Sequence, residues 1–314
     1  MLDTVDFRLT RSEVEGVDFV EDVSPYLNPE TFVIHDSGNT RTATGKIGNL
    51  SVTISPNSVR VKNGSLCKWM LGDNYQTMTR RDVRHAIERL SDTLHLPMDR
   101  ATITRLDIGL TIAVEHPVTC YFNHLGTLNY AARLQQPDSL YYHLGHARCL
   151  CFYDKNKEQR TNGQPVPEPY RGGYVLRYEL RYKTRLPRRL GVPAVTGALL
   201  YDETFFASML NRWHEAYRSI RKTNDITLNF QTMMTKRDMQ RMGILMLIEH
   251  WGGEVEVIAK IKEAQKCGDL STKQATSLIE TIKETCKARE GMTMPNEIIN
   301  ELDKKIAEAV RRYR

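Results

Sequence analysis

Three segments in the middle of the chain alternate with period two, and each keeps its ionisable residues to one side. In ATITRLDIGLTIAV, Leu106, Ile108, Leu110 and Ile112 share one face, and Arg105, Asp107 and Gly109 share the other. In RCLCFYDK, Leu150 and Phe152 oppose Tyr153 and Lys155. In YVLRYELRYK, Leu176, Tyr178, Leu180 and Tyr182 oppose Arg177, Glu179, Arg181 and Lys183. Successive side chains point to opposite faces of a strand, so the pattern predicts three strands, each with a mainly apolar side and an ionisable side. If they share a sheet, the ionisable sides merge into one surface holding two carboxylates, Asp107 and Glu179, one tyrosine, Tyr153, and several cations.

That inventory suits phosphodiester transesterification. Hard divalent cations take carboxylate oxygens. Such a cation polarises a scissile phosphate. A phenol can attack once a nearby cation favours its anion, and Lys155, two residues from Tyr153 on the same face, is a candidate to supply that charge. Plain ion pairing accounts for the same alternation: Asp107 with Arg105 and Glu179 with Arg177 would make an ordinary polar sheet face. With fourteen tyrosines in the chain, one tyrosine alone decides nothing.

The rest of the chain divides near residue 200. Before it the pattern is strand-rich. VDFRL alternates Val5, Phe7 and Leu9, and LSVTI and SVRVK flank SPN as a hairpin. TRRDVRHAIERLSDTLHL is a helix with Val83, Ile87, Leu90 and Leu94 on one stripe, and Thr79 with Asp82 as its capping box. RTNGQPVPEPYRGG, rich in Pro and Gly, is expected to be a mobile loop. From Thr204 onward the period is helical. Phe205, Met209, Trp213, Tyr217 and Ile220 form a stripe. Further helices are expected near 236–250, 254–266, 272–289 and 295–312, broken at Gly252-Gly253, Gly268 and Met294-Pro295. The stripes Leu245, Leu247, Ile248; Val257, Ile258, Ile261; and Leu278, Ile279, Ile282 are expected in the core. The expected domains are 1–200 and a helical region, 201–314.

A formal charge of +6 does not identify a nucleic-acid partner; its distribution is more informative. Between Arg177 and Arg189 stand six Arg or Lys and one acid, a cluster able to track phosphates. No apolar run approaches a membrane span, and the start of the chain lacks a signal-peptide pattern. The six cysteines show no CxxC pair and no zinc-ligand spacing, and are expected to be reduced thiols in a cytosol.

The ordered set TRLD, FYDKNKE and LRYELRYKTRLPRRLGVP resembles the replication initiators of the filamentous-phage gene II/X family and related plasmid proteins. The matching positions are Arg105 and Asp107; Tyr153, Lys155 and Glu158; Arg177, Glu179, Arg181, Lys183, Thr184 and Arg185; and Gly191 with Pro193. The agreement in order and approximate spacing covers roughly residues 1–200. The resemblance implies an α+β fold, with an antiparallel sheet and flanking helices like those of HUH endonucleases, followed by the helical C-terminal region. It implies Tyr153 as nucleophile, with Lys155 and Glu158 beside it. Glu158 is left open as ligand, general base or helix-capping partner of Lys155.

In HUH enzymes a His-hydrophobic-His pair usually binds the metal, and this chain has none. Near the expected place it has Tyr141-Tyr142-His143-Leu144-Gly145-His146, so Asp107, Glu179 and His143 are the candidate ligands for Mg²⁺ or Mn²⁺. Arg105, Arg177, Arg181, Lys183, Arg185, Arg188 and Arg189 are the candidate DNA contacts. The implied activity is rolling-circle initiation in a bacterial host cytoplasm. A single-stranded or hairpin site in origin DNA is nicked and rejoined through a 5′-phosphotyrosine link, and host helicase and polymerase do the rest, since no Walker motif is present. Two other functions stay open: an origin-binding replication or regulatory protein without nicking activity, which would need the basic block but not Tyr153, and a conjugative relaxase.

Overall fold

The computed structural model describes residues 1–38, 40–222, 225–226, 235–287, 293–294 and 296–313. The chain divides into two compact units, one of Met1–Val118, Tyr130–Arg218 and Lys305–Arg314, the other of Thr119–Asn129 and Ser219–Lys304. The first unit therefore extends past residue 200.

Its frame is a ten-stranded sheet in the order β2-β3-β4-β5-β1-β6-β10-β9-β8-β7, antiparallel at every pairing. The strands are β1 (Leu2–Thr10), β2 (Val33–Ser37), β3 (Thr40–Ile47), β4 (Leu50–Ser55), β5 (Ser58–Lys62), β6 (Thr102–Val114), β7 (Ala132–Gln136), β8 (Ser139–Leu144), β9 (Arg148–Asp154) and β10 (Tyr174–Tyr182). The three alternating segments are β6, β9 and β10. They are neighbours, with β10 between the other two. β4 and β5 form the expected hairpin, and Val5, Phe7 and Leu9 of β1 are buried.

Pairing partners in an antiparallel ladder share a face. The register sets Arg181 between Asp107 and Cys149, Glu179 between Gly109 and Cys151, and Arg177 between Thr111 and Tyr153. All these ionisable positions therefore lie on one side. On the other side Phe152 stacks on Tyr178 with ring centroids 4.4 Å apart, and helix Glu203–Arg218 packs over them. Its Trp213 ring lies 4.7 Å from Tyr178, and the Tyr178 hydroxyl donates to the Trp213 carbonyl at 2.9 Å. Tyr178 and Tyr182 are core residues. The helix Arg80–Leu94 forms as its stripe predicts, with the Thr79–Asp82 capping box closed.

Two expectations need correction. The ionisable face of β10 is not open to solvent at its centre, because Arg177 and Glu179 are buried on it. The helix Lys155–Thr161 packs against β9 and β10, and the loop carbonyl of Asn74 reaches Arg177. The segment expected to be mobile is pinned instead. Asn156 donates to the carbonyls of Tyr170 at 2.9 Å and Gly173 at 3.0 Å, and Val166 packs in a buried cluster with Tyr75 and Val175.

In the second unit, helices Lys236–His250, Glu254–Cys267 and Thr272–Lys287 share a core of Ile248, Val257 and Ile282. Gly253 and Gly268 mark the expected breaks, whereas Pro295 and the expected helical positions 288–289 lie outside the described residues. Two expected core residues are not in the core. Leu247 is 50% exposed and Leu278 43%. At about 100° per residue, Leu247 projects away from the Leu245–Ile248 stripe. All six cysteines are free thiols, and among the described residues no helix is long and apolar enough to cross a membrane.

Because Phe152 is fully buried in the aromatic stack, Phe152→Ala should cost about 3–5 kcal/mol in urea unfolding. Leu134→Ala, on the exposed edge strand, should stay within about 0.5 kcal/mol.

Candidate active site

Glu179, at the middle of β10, organises the ionisable face. One carboxylate oxygen accepts from the Tyr153 hydroxyl at 2.9 Å and from Nε of Arg177 at 3.0 Å. The other accepts from Arg181 at 2.6–2.7 Å. Arg181 also reaches toward Asp107, 4.0 Å away, and Asp107 is held by Arg105 at 2.6 and 3.2 Å. Both ion pairs anticipated from simple alternation therefore exist, and the carboxylate of each is buried: Asp107 is 2% exposed and Glu179 3%, while Arg105 stays partly open to solvent.

Two backbone features make room for this arrangement. A Cβ at Gly109, directly opposite Glu179, would stand 2.8 Å from Glu179 Cγ and 2.9 Å from Arg177 Nη2; only glycine leaves that space. The second is a register shift in β1. Leu2 pairs with Ile108 and Val5 with Leu106, with an irregularity between them. Strict alternation from Val5, Phe7 and Leu9 would send Asp3 to the apolar face. The extra residue turns it to the other one, the kind of re-aiming that bulges produce. Asp3 then pairs with Arg177 at 2.7 Å and accepts from the Ser65 hydroxyl. Sequence reasoning missed Asp3, Thr111 and Asn74; the signal for Asp3 was an acid out of phase on an otherwise apolar strand face.

Electrostatics follow from this crowding. Burial works to raise the Glu179 carboxyl, but Arg181 and Arg177 outweigh it and hold it below the usual carboxylate range. Asp107 goes the other way. Burial pushes it up to about 6, against the pull of Arg105 and with the Glu179 charge adding to the rise. The Tyr153 phenol is raised well above its ordinary value, first by burial and then by the Glu179 charge. With Glu179 ionised and the phenol donating to it, Tyr153 is held protonated in this state.

The other expected site residues divide. β9 ends at Asp154, whose side chain caps the helix Lys155–Thr161, so Lys155 does not continue the strand face. Its ammonium pairs with Glu158 at 2.7 Å and lies 5.5 Å from the Tyr75 ring; of the roles left open for Glu158, this geometry displays the pairing with Lys155. His143 shares the face and row of Cys149, Arg181 and Asp107, but three strand spacings, roughly 14 Å, separate its backbone from that of Asp107. Its ring stacks on Tyr141. Arg177, expected to meet phosphate, is 1% exposed, and every guanidinium nitrogen donates to protein: Glu179, Asp3, Thr111 and the Asn74 carbonyl. The reason is that it neutralises two buried carboxylates. Arg105 and Arg181 are partly exposed, and Lys183, Arg185, Arg188 and Arg189 are fully on the surface at the end of β10 and along Leu186–Leu190.

Asp107 and Glu179 offer the donor chemistry of a hard cation, and the Arg181 guanidinium lies between them. The pair fits a divalent ion in kind. A third ligand does not gather with it: among the described residues no group of three His, Cys, Asp or Glu is placed to hold a metal.

Residues 1–208 match the model of a family described as the N-terminal region of a phage replication-associated protein, the gene II product. No curated protein matches the chain.

The raised Asp107 pKa has a definite sign in stability. The folded protein holds that proton up to about pH 6, whereas an unfolded Asp releases it near 3.9. The Asp107 contribution therefore falls as pH rises between those values. Urea unfolding of the metal-free protein should show Asp107→Asn gaining relative to the parent from about pH 4 to 6 and levelling above. A constant difference across that range would contradict the buried placement.

Proposed function

The chain belongs to the phage replication-initiator family whose N-terminal region its residues 1–208 match, and on that footing we propose that it nicks one strand of origin DNA with Tyr153 and stays covalently attached to the cut end. The observation that carries the proposal is the convergence of Tyr153, Glu179, Arg181 and Asp107 on one sheet face, with the phenol 2.9 Å from a carboxylate.

The phenolic oxygen attacks the scissile phosphorus in line. The bond from phosphorus to the 3′ oxygen breaks, and the strand is left as a 5′-phosphotyrosine and a free 3′-hydroxyl. The departing 3′ oxygen takes up a proton from solvent to become the hydroxyl, and the phenol's proton leaves along the hydrogen bond to Glu179. That transfer is uphill while Arg177 and Arg181 hold Glu179 ionised and weakly basic, so activation requires positive charge nearer the phenol. A divalent cation, Mg²⁺ or Mn²⁺, held by Asp107 and Glu179 would polarise the phosphate and favour the phenolate. Arg181, partly open to solvent, is the group placed to exchange its carboxylate for a phosphate oxygen. Asp107 and Arg105 hold the neighbouring row of the face. The surface cations Lys183, Arg185, Arg188 and Arg189 follow the strand backbone, a contact that weakens steeply with salt.

Because the phosphotyrosine conserves the phosphodiester energy, the same residues can rejoin the displaced strand without a nucleotide cofactor. Extension of the 3′-hydroxyl and unwinding are assigned to a host polymerase and helicase, in a bacterial cytoplasm.

With a labelled origin oligonucleotide and Mn²⁺ or Mg²⁺, the parent protein should form an adduct that survives SDS, and Tyr153→Phe should lower it by more than about a thousandfold. An undiminished adduct in that variant rules Tyr153 out. Asp107→Ala should lose cleavage far more than DNA binding in a gel-shift titration; equal loss of both would assign Asp107 to folding instead.

A further inference from the structure

β6 runs beyond β1, since Leu2 is already opposite Ile108 and β6 continues to Val114. Beside this extension, within the sheet-bearing unit, lies a cleft of about 680 Å³, within the size range of small-ligand sites. Its walls come from the buried Tyr75 and Thr111 of β6, Tyr170 of the pinned loop, Lys305 and the acidic Glu308 midway along helix Glu297–Tyr313, and Arg312 and Tyr313 at its end. The Tyr75 and Tyr170 rings are 4.9 Å apart. Lys305 donates to the Ala113 carbonyl at 2.8 Å, which anchors the middle of the helix to β6. Arg312 is exposed and lies 5.6 Å from the Tyr313 ring.

The cleft joins the candidate site on two sides. Thr111, on its wall, accepts from Arg177 at 2.9 Å, and Arg177 holds the carboxylate that holds Tyr153. The Tyr75 hydroxyl donates to Asn156 at 2.8 Å, three residues after Tyr153 in the chain. A groove that pairs aromatic faces with cations, with Thr111 on its wall two strands from Tyr153 in the same cross-strand row, has the chemistry of single-stranded nucleic acid: bases stack on rings and phosphates meet cations.

We propose that this cleft holds the nucleotides of the single strand flanking the scissile phosphate, with a base against the half-buried rings of Tyr170 and Tyr313 and phosphate on Arg312 and Lys305. The inference rests on the nuclease reading of Tyr153 and adds the path of its substrate. It gives the end of helix Glu297–Tyr313 a part in strand binding.

The test is fluorescence anisotropy with a short fluorescein-labelled oligothymidylate, without added metal and in the Tyr153→Phe background, so that cleavage does not enter. Removing both cations, Lys305→Ala with Arg312→Ala, should weaken binding about tenfold or more and make the salt dependence of log K shallower by about 0.7 for each cation lost. Arg312→Ala alone, which keeps the Lys305 anchor, should show half of that slope change. Tyr313→Leu should weaken binding about fivefold or more with the slope unchanged. Circular dichroism spectra matching the parent's verify folding. Parent-like affinity and slope in all three variants would overturn the cleft and leave the nuclease reading standing. An equal loss for a duplex probe would also overturn it, as a general phosphate surface. Failure of the parent itself to bind any single strand would bring down the nuclease reading along with the cleft.

Discussion

The ion network around Glu179 is the constraint on which the rest of this protein depends. A carboxylate buried at the middle of a sheet costs several kcal/mol unless it is paired and hydrogen-bonded. Here two guanidiniums and a phenol satisfy it, and Arg177 in turn needs a second carboxylate, Asp3. Each member requires the next. Removing Asp3, Arg177 or Glu179 would leave a partner's charge unpaired in a low-dielectric setting, so the network ties β1 to β10 while the aromatic stack packs the opposite face. Gly109 belongs to the same logic, because any side chain there would occupy the space of Glu179 and Arg177.

That network also defines the chemical state of the candidate nucleophile. Tyr153 is held protonated by the carboxylate it donates to, with its pKa raised by burial and by that charge. Under the proposed reaction the free protein holds the phenol inactive, and the change to attack would be electrostatic: a new charge would have to arrive near Glu179 and Asp107. A scissile phosphate would compete for Arg181, and a divalent cation would compete for the carboxylates. Substrate and metal would then each loosen what restrains the phenol.

Most of the fold is legible in the sequence. The three central strands, the β4–β5 hairpin, the capped helix Arg80–Leu94 and the helical C-terminal region all emerge from period and capping chemistry, because these depend on residues near one another in the chain. Within the site, parity puts Asp107, Tyr153 and Glu179 each on the ionisable side of its own strand, the register of β6, β10 and β9 brings those sides together, and the family motifs draw attention to them. Less legible are the residues whose role depends on what lies across the sheet. Asp3 is hidden by a bulge. Alternation assigns Lys155 to a strand that ends one residue before it, because the capping power of Asp154 competes with the period and wins. Arg177 reads as a surface cation because a one-dimensional pattern shows that a residue is charged and not whether its face is covered.

The division is a physical one. By itself the sequence determined which residues alternate, which segments pair as strands or coil as helices, and which side chains must share a face, since backbone geometry enforces those relations over a few residues. Only the tertiary structure decided that the ionisable face is buried, that β10 lies between β6 and β9, and that Arg177 faces inward with Asp3 rather than outward to phosphate. Burial, and the pairing of Asp3 with Arg177, are set by contacts between segments more than a hundred residues apart, and no local periodicity encodes them, whereas the Arg105–Asp107 and Arg177–Glu179 pairs each lie two residues apart on one strand.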